Sequence, residues 1–245
     1  MTLVAFQRAL SDLVASPGLV RRLWDEPEVV LADYELSARE RARLEAVARQ
    51  PGMATSCALY RMNRVTPLYT YLRLTCHALG DALRRELDLF WDLQPAHVQF
   101  EREVTRFGVF LRSRVRAGAL QPLVEEVLDL ELAVNELRYR KGHAGREAAT
   151  AVGAFSLQED ARVARLSREP LALLGALDRR EPIEDVPAGE HYVLVLNGDD
   201  GLDVLPLAPE LGAPLFAIAR GDGDSIPAET VAMLLEAGLL VDAPT

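Results

Sequence analysis

Cysteine and histidine are scarce in this sequence, which limits the metal chemistry that the chain can support. It has two cysteines, Cys57 and Cys76, and four histidines in 245 residues. Two cysteines are too few for a disulfide framework, and no Cys-x-x-Cys or His-x-x-x-His spacing typical of a zinc site is present. Cys76 and His77 are adjacent, so a helix points them to different faces. The sequence therefore predicts no bound metal and no cofactor.

Long apolar runs are also missing. No stretch approaches the roughly 20 consecutive apolar residues that a membrane-spanning helix needs. The opening stretch MTLVAFQRALSDLV places Gln7, Arg8, Ser11 and Asp12 among its apolar residues. This pattern predicts an amphipathic helix and not a signal peptide. We therefore expect a cytoplasmic protein.

The sequence lacks the motifs of self-contained catalysis. It has no Gly-x-Ser-x-Gly elbow and no glycine-rich phosphate loop, and neither His97 nor His191 has a sequence-local partner that would make it a base. The acidic segments 198–201 and 221–224 share the composition of calcium loops but not their ligand alternation or closing Glu, which favours solvated turns. The prediction is a chain that is not itself an enzyme, although it can be the accessory subunit of one.

Positive charge is unevenly distributed along the chain. Residues 1–154 hold 21 Lys and Arg against 20 Asp and Glu, and Lys141 is the one lysine of the sequence. Residues 181–245 hold 13 acids and a single base, Arg220, which is a formal net charge of −12. A surface that binds duplex nucleic acid must neutralise phosphates with Lys or Arg. Nucleic-acid binding is therefore not expected of the C-terminal part.

Residues 1–145 are predicted to form an all-helical domain. Apolar residues recur at helical spacing from Leu3 onward, and Ser37 followed by Glu40 is a capping box. Pro67 suits the first turn of a helix, so we expect one helix to end near residue 64 and another to begin there. The predicted helices cover about 3–15, from 17 onward, 38–50, 54–64, 67–79, 81–93, 100–116 and 122–140.

Residues 156–245 are predicted to form a small acidic α+β domain after a glycine- and alanine-rich linker at 142–154. Val- and Leu-rich runs at 191–197 and 202–208 flank an Asp/Gly turn, which is the signature of a β-hairpin. Pro206 places the second of these strands at a sheet edge. The other predicted elements are a strand at 161–166, helices at 170–179, 209–219 and 227–237, and a strand at 239–241.

A polar cluster is expected in the segment that begins at Cys57. In a helix, Tyr60, Asn63 and Arg64 share one face and Arg61 stands off it, with Glu131 as a carboxylate mate from a later helix. Two interpretations stay open. The cluster is either a structural network that fixes helix packing or a surface that contacts a partner.

Five short motifs follow one another between residues 55 and 140: Tyr60-Arg61-x-Asn63-Arg64, Leu79-Gly80, Phe90-Trp91 with Pro95, Phe107–Leu111 and Leu130-Glu131. Together they resemble a bacterial family of unknown function that is labelled as a DNA-binding domain. The chain departs from that family at Thr75-Cys76, where the family has a proline before the Leu-Gly helix, and at Pro95-Ala96, where the family has two prolines. Such helical domains occur in accessory proteins of the multinuclear non-heme iron enzymes that modify ribosomal peptides.

Those accessory proteins resemble the methanobactin-pathway partner subunit, which joins a helical part to a winged-helix-like module that recognises the precursor peptide. The predicted order of residues 191–241 (strand, strand, helix, helix, strand) is similar to that module. The resemblance implies a non-catalytic partner that binds a precursor peptide and forms a heterodimer with an iron-dependent oxidase. An edge strand offers main-chain bonds to an added peptide. The predicted peptide-binding residues are Leu202, Val204, Leu205, Leu207, Val231 and Leu235.

Two alternative functions stay open at this point. The family label suggests a DNA-binding transcriptional regulator, and the arginine-rich helix at 100–116 is compatible with one. The run LSARERARLEAV is similar to the small helical subunit of aromatic-ring-opening dioxygenases.

Overall fold

The structure of the chain is a computed structural model that describes residues 3–93, 100–139, 155–198, 201–222 and 226–242. In these residues it has twelve helices and five strands, with every strand C-terminal to residue 154. The predicted α+β class is confirmed. The predicted linker at 142–154 lies outside the described residues.

The helices of the first half are bounded as follows: α1 Leu3–Ala15, α2 Pro17–Asp25, α3 Pro27–Val30, α4 Ala38–Ala48, α5 Pro51–Tyr71, α6 Arg73–Leu79, α7 Ala82–Leu93, α8 Phe100–Arg116 and α9 Pro122–Tyr139. The second half contains β1 Phe155–Leu157, β2 Ala161–Arg168, α10 Pro170–Arg179, β3 Ala188–Gly198, β4 Gly201–Leu207, α11 Pro209–Arg220, α12 Ala228–Glu236 and β5 Leu240–Asp242.

The chain divides into two compact units. The helical unit comprises Met1–Thr70 and Asp81–Phe110, and the sheet unit comprises Tyr71–Gly80 and Leu111–Thr245. These limits differ from the predicted ranges 1–145 and 156–245, because the apolar faces of α6 and α9 pack with the strands. A domain break within 142–154 stays a prediction.

Local sequence signals start two helices of the helical unit. The Ser16 hydroxyl accepts from the Leu19 amide at the start of α2, and Pro17 occupies the first turn. The predicted capping box is confirmed at α4, where Ser37 accepts from the Glu40 amide while Glu40 accepts from that of Ser37. Both helices then bury their apolar stripes. The core is formed by Ala9, Leu13, Val20, Leu23, Val30, Leu31, Leu44, Ala48, Met53 and Cys57.

The expected break before Pro67 is wrong, since α5 runs without interruption from Pro51 to Tyr71. Pro67 and Leu68 are buried on the face that also carries Met53 and Cys57. Proline removes one main-chain bond inside a helix. Burial of a continuous apolar face outweighs that loss here, so the two predicted helices are one.

The sheet unit is built on an antiparallel sheet of three strands in the order β2-β3-β4. The predicted hairpin is confirmed, with Tyr192 opposite Leu207 and Gly198 opposite Gly201. Its turn residues, Asp199 and Asp200, lie outside the described residues. A second, two-stranded pairing joins β1 to β5, with Ser156 opposite Val241.

The three-stranded sheet carries a separate core on each face. Val193 and Val195 of β3 pack against α9 and α10, whereas Leu194 packs against α11 and α12. The alternation follows from the two-residue period of a strand. Helix α11 comes so close to β3 that a side-chain carbon built on Gly212 would lie 2.3 Å from Tyr192, so glycine is required at that crossing.

No helix in the described part of the chain is both long enough and apolar enough to cross a membrane.

Candidate functional site

Strand β4 is an edge of the sheet in the residues that the structure describes, as Pro206 predicted. The Asn197 amide donates to the Asp160 carbonyl, on the β2 side of β3. The main-chain groups of successive residues in a strand point alternately to the two neighbouring strands. Because Asn197 bonds β2, Leu194 and Leu196 bond β4, where they lie opposite Leu205 and Asp203. The main-chain groups of the intervening residues, Leu202, Val204 and Pro206, therefore face the open edge.

The side chains predicted to bind peptide are divided between the two faces of the sheet. Leu202 and Val204 are half-buried against the α9 and α10 core. Leu207 is half-buried on the opposite face, in the cluster that also holds Val231 and Leu235 of α12. Leu205 is 45% exposed. The structure thus brings Leu207, Val231 and Leu235 together and separates them from Leu202 and Val204.

In the helical unit, the predicted polar cluster of α5 gathers around Trp91 of α7. The guanidinium carbons of Arg61 and Arg64 lie over the Trp91 ring, at 5.3 and 5.2 Å from its centroid. Arg64 is also 6.0 Å from the centre of the half-buried Tyr60 ring. Asn63 is exposed and lies outside the cluster. Stacking of guanidinium on an indole is favourable, more so when water is excluded.

The carboxylate that pairs with Arg64 is Glu103 of α8, and the predicted pairing with Glu131 is wrong. The Glu103 oxygen accepts from Arg64 Nε at 2.6 Å and from Trp91 Nε1 at 3.1 Å. The Arg64 and Glu103 side chains are 8% and 2% exposed. One nitrogen of this guanidinium, Nη2, is buried without a hydrogen-bond partner.

Beside this cluster, a groove of about 360 Å³ runs between α5 and α7. Arg61 bonds Asp88 across it at 2.9 Å. Met62, at the rim, is 66% exposed. The groove walls are formed by Arg61, Met62, Val65, Thr66, Leu83, Arg84, Leu87, Asp88 and Trp91. A mostly apolar groove with a few charges can accept apolar side chains of a partner.

Glu131 lies in the sheet unit, where it caps α6 from a distance. Its two carboxylate oxygens accept from the amides of Leu74 and Thr75 at 2.8 and 2.7 Å. Helix α6 has no side-chain cap of its own, so Glu131 supplies the acceptors that the first turn needs. Burial raises the pKa of Glu131, and the bonds from Thr75 and Leu74 partly oppose the rise. The residue has a structural role.

Neither cysteine is poised for nucleophilic chemistry. Burial raises the pKa of the Cys57 thiol, and burial followed by the charge of Glu131 raises that of Cys76 to about 12. A thiol with a raised pKa stays protonated and unreactive. Within the described ranges, no three His, Cys, Asp or Glu side chains converge as metal ligands.

Asp88, Trp91 and Glu103 were not predicted as members of the α5 cluster. A signal for Glu103 exists in the sequence, because Glu103, Phe107 and Leu111 follow at intervals of four and therefore share one face of α8. A carboxylate on an otherwise apolar face indicates a buried partner. Arg64, the partner of Glu103, lies 39 residues earlier in the chain, and the sequence gives no such signal for it.

No model of a known protein family matches this chain, and no curated protein matches it significantly.

Proposed function

We propose that this chain is a non-catalytic partner protein that binds a ribosomal precursor peptide and presents it to an iron-dependent oxidase. The observation that carries the proposal is the open edge of β4, where the amides of Leu202 and Val204 face no other described strand. Unpaired strand edges are the surfaces to which extended peptides add. The oxidase, as the second subunit of a heterodimer, is proposed from the resemblance of residues 55–140.

The negative charge around β4 favours a basic peptide. Residues 181–245 have a formal net charge of −12, and Asp203 is an exposed residue of β4 itself. A peptide with Lys or Arg beside its paired segment is favoured, and its association slows as salt rises. Pairing of the main chain is less sensitive to salt, because it does not depend on net charge.

The test uses basic peptides selected on the purified chain from a random display library. Val204→Pro removes an outward amide and replaces the valine side chain by the proline ring, whereas Val204→Ala removes the two methyl groups and keeps the amide. We expect Val204→Pro to bind about three- to tenfold more weakly than Val204→Ala, because it loses one main-chain hydrogen bond to the peptide. Circular dichroism must show both variants folded. Equal affinity of the two folded variants overturns the proposed edge.

A mobility shift with random duplex DNA at low salt distinguishes the alternative of a transcriptional regulator. Binding to the duplex, when the selection yields no peptide that binds the chain, contradicts the proposed function. The genes adjacent to that of this chain supply the natural peptide and oxidase as further probes. Failure of the chain to associate with that oxidase contradicts the role of partner subunit.

A further inference from the structure

Among the described residues, β2 is the second edge of the three-stranded sheet, and it borders a groove of about 660 Å³ inside the sheet unit. Its walls come from the end of α8, from α9, from β2 itself and from α11. This volume is in the range of sites that bind ligands. The groove shares no lining residue with the open edge of β4.

The floor of the groove offers main-chain groups for strand addition. The bond between Asn197 and Asp160 shows that the even-numbered residues of β2 bond β3. The main-chain groups of the intervening residues Val163 and Arg165 therefore point away from β3 and toward the groove. In the described part of the chain these two amides have no acceptor. At the end of the edge, the Ser167 amide is already bonded to Glu126 at 2.8 Å. The free edge therefore extends over Val163 and Arg165.

The acidic side chains of the groove are already engaged by neighbouring groups. Glu126 accepts from both the amide and the hydroxyl of Ser167. Glu136 accepts from Arg162 Nε at 3.0 Å. Asp129 accepts from Arg112 at 2.5 Å, and Glu125 lies 3.8 Å from the same guanidinium. These carboxylates are not available to a ligand without loss of an existing contact.

Two arginines of the groove have no carboxylate partner among the residues that the structure describes. Arg116 ends α8 and Arg220 ends α11, and both are exposed. Arg220 stacks over the Phe216 ring at 5.7 Å, as does Arg165, whose own ion pair with Glu190 is long at 3.7 Å. The lining holds five arginines and four carboxylates, a formal net charge of +1, and within the described residues its two guanidiniums without a carboxylate partner are those of Arg116 and Arg220.

We propose that this groove binds an extended, acidic peptide segment as a fourth strand next to β2. The main chain of the segment bonds Val163 and Arg165. Its carboxylates pair with Arg116 and with Arg220, which stacks over the Phe216 ring.

The inference rests on the proposed function in that the ligand is an extended peptide, but the two sites select opposite charge. The β4 edge favours a basic segment, and the β2 groove favours an acidic one. Each site can therefore fail by itself in a binding experiment.

The test measures the affinity of three labelled synthetic peptides of equal length for the full chain: a Glu-Val peptide, a Lys-Val peptide and a Thr-Val peptide, each built from repeats of two polar residues followed by one valine. Successive side chains of a strand point to opposite sides, so the two polar residues of each repeat reach both sides of the strand. We expect the Glu-Val peptide to bind most tightly and to weaken as salt rises. The Arg116→Glu, Arg220→Glu double variant should lose about tenfold or more in affinity, since two ion pairs become repulsive.

Two matched controls accompany these measurements. Arg39→Glu changes an exposed arginine of α4 in the helical unit and should leave the affinity unchanged. Arg165→Pro removes a groove-facing amide that Arg165→Ala keeps, and an edge strand tolerates proline whose nitrogen faces outward. We expect the proline variant to bind about three- to tenfold more weakly than the alanine variant.

The inference is overturned by tighter binding of the Lys-Val peptide, by an unchanged affinity in the double variant, or by equal affinities of the two Arg165 variants. Loss of Glu-Val binding in the groove variants, with selected basic peptides still sensitive to Val204→Pro, supports both sites. Groove binding without any response at Val204 supports this inference and contradicts the proposed β4 edge.

Discussion

Glu103 of the helical unit and Glu131 of the sheet unit are both buried, at 2% and 9% exposure, but they are satisfied in different ways. Glu103 accepts from the side chains of Arg64 and Trp91. Glu131 accepts from the main-chain amides of Leu74 and Thr75 and has no cation within bonding distance in the described residues. The first is a charge pair and the second is a helix cap. A buried carboxylate can thus join distant side chains or complete a helix, and the two roles predict different responses to substitution.

Arg64→Ala should have the largest effect, with a loss of about 3–5 kcal/mol in the free energy of unfolding, because Glu103 is left as a buried charge without its cation. Chemical denaturation of the full chain measures this. The double variant Arg64→Leu, Glu103→Leu removes both charges and should lose less than the single variant. A double variant that is the less stable of the two contradicts the charge-pair interpretation.

Glu131→Ala should lose about 2–3 kcal/mol, because the Leu74 and Thr75 amides lose their acceptors. Glu131→Gln keeps one of the two acceptor oxygens and is the matched control. Hydrogen exchange locates the effect, since both the Leu74 and the Thr75 amides should exchange faster in the alanine variant and only one of them in the glutamine variant. If both amides exchange as fast in the glutamine variant as in the alanine variant, the cap depends on charge rather than on an acceptor.

The smallest effect is a dependence on pH. Burial raises the folded-state pKa of Glu131 above its ordinary value of 4.5. The unfolded chain therefore loses this proton first as the pH rises, and the stability that Glu131 contributes falls between 4.5 and the folded-state pKa. Relative to wild type, Glu131→Gln should gain stability as the pH rises through this window and show a constant difference above it. A difference that is the same at every pH contradicts a raised pKa.

Signals confined to a few neighbouring residues predicted structure well. The capping box at Ser37, the hairpin around Gly198 and the edge position of Pro206 each depend on contacts within one turn or one hairpin. The helix break at Pro67 was predicted wrongly. The apolar face of α5 is buried along the whole helix, and this burial keeps the helix continuous through Pro67.

Features that depend on distant parts of the chain were not predictable. A last strand was predicted at 239–241, but its pairing with β1 spans more than 80 positions and had no signal in the sequence. The groove along β2 includes the ends of α8 and α11 in its walls. Which of its charged side chains are free to bind a ligand depends on the ion pairs and hydrogen bonds that the others already make. Sequence counts give the acidic total of residues 181–245, but only the paired geometry shows that Arg116 and Arg220 lack a carboxylate partner among the described residues.

Pro206 also bears on the solubility of the chain. An open strand edge can nucleate sheet-to-sheet polymers of identical copies, and each such contact gains from every donor along the edge. On β4 the outward donors stop at Leu202 and Val204, because the next outward position is Pro206. Two copies that meet edge to edge therefore gain few bonds, and their like negative charges oppose the approach. The peptide proposed for this edge brings opposite charge, so under that proposal the same short ladder favours the ligand over a second copy of the chain.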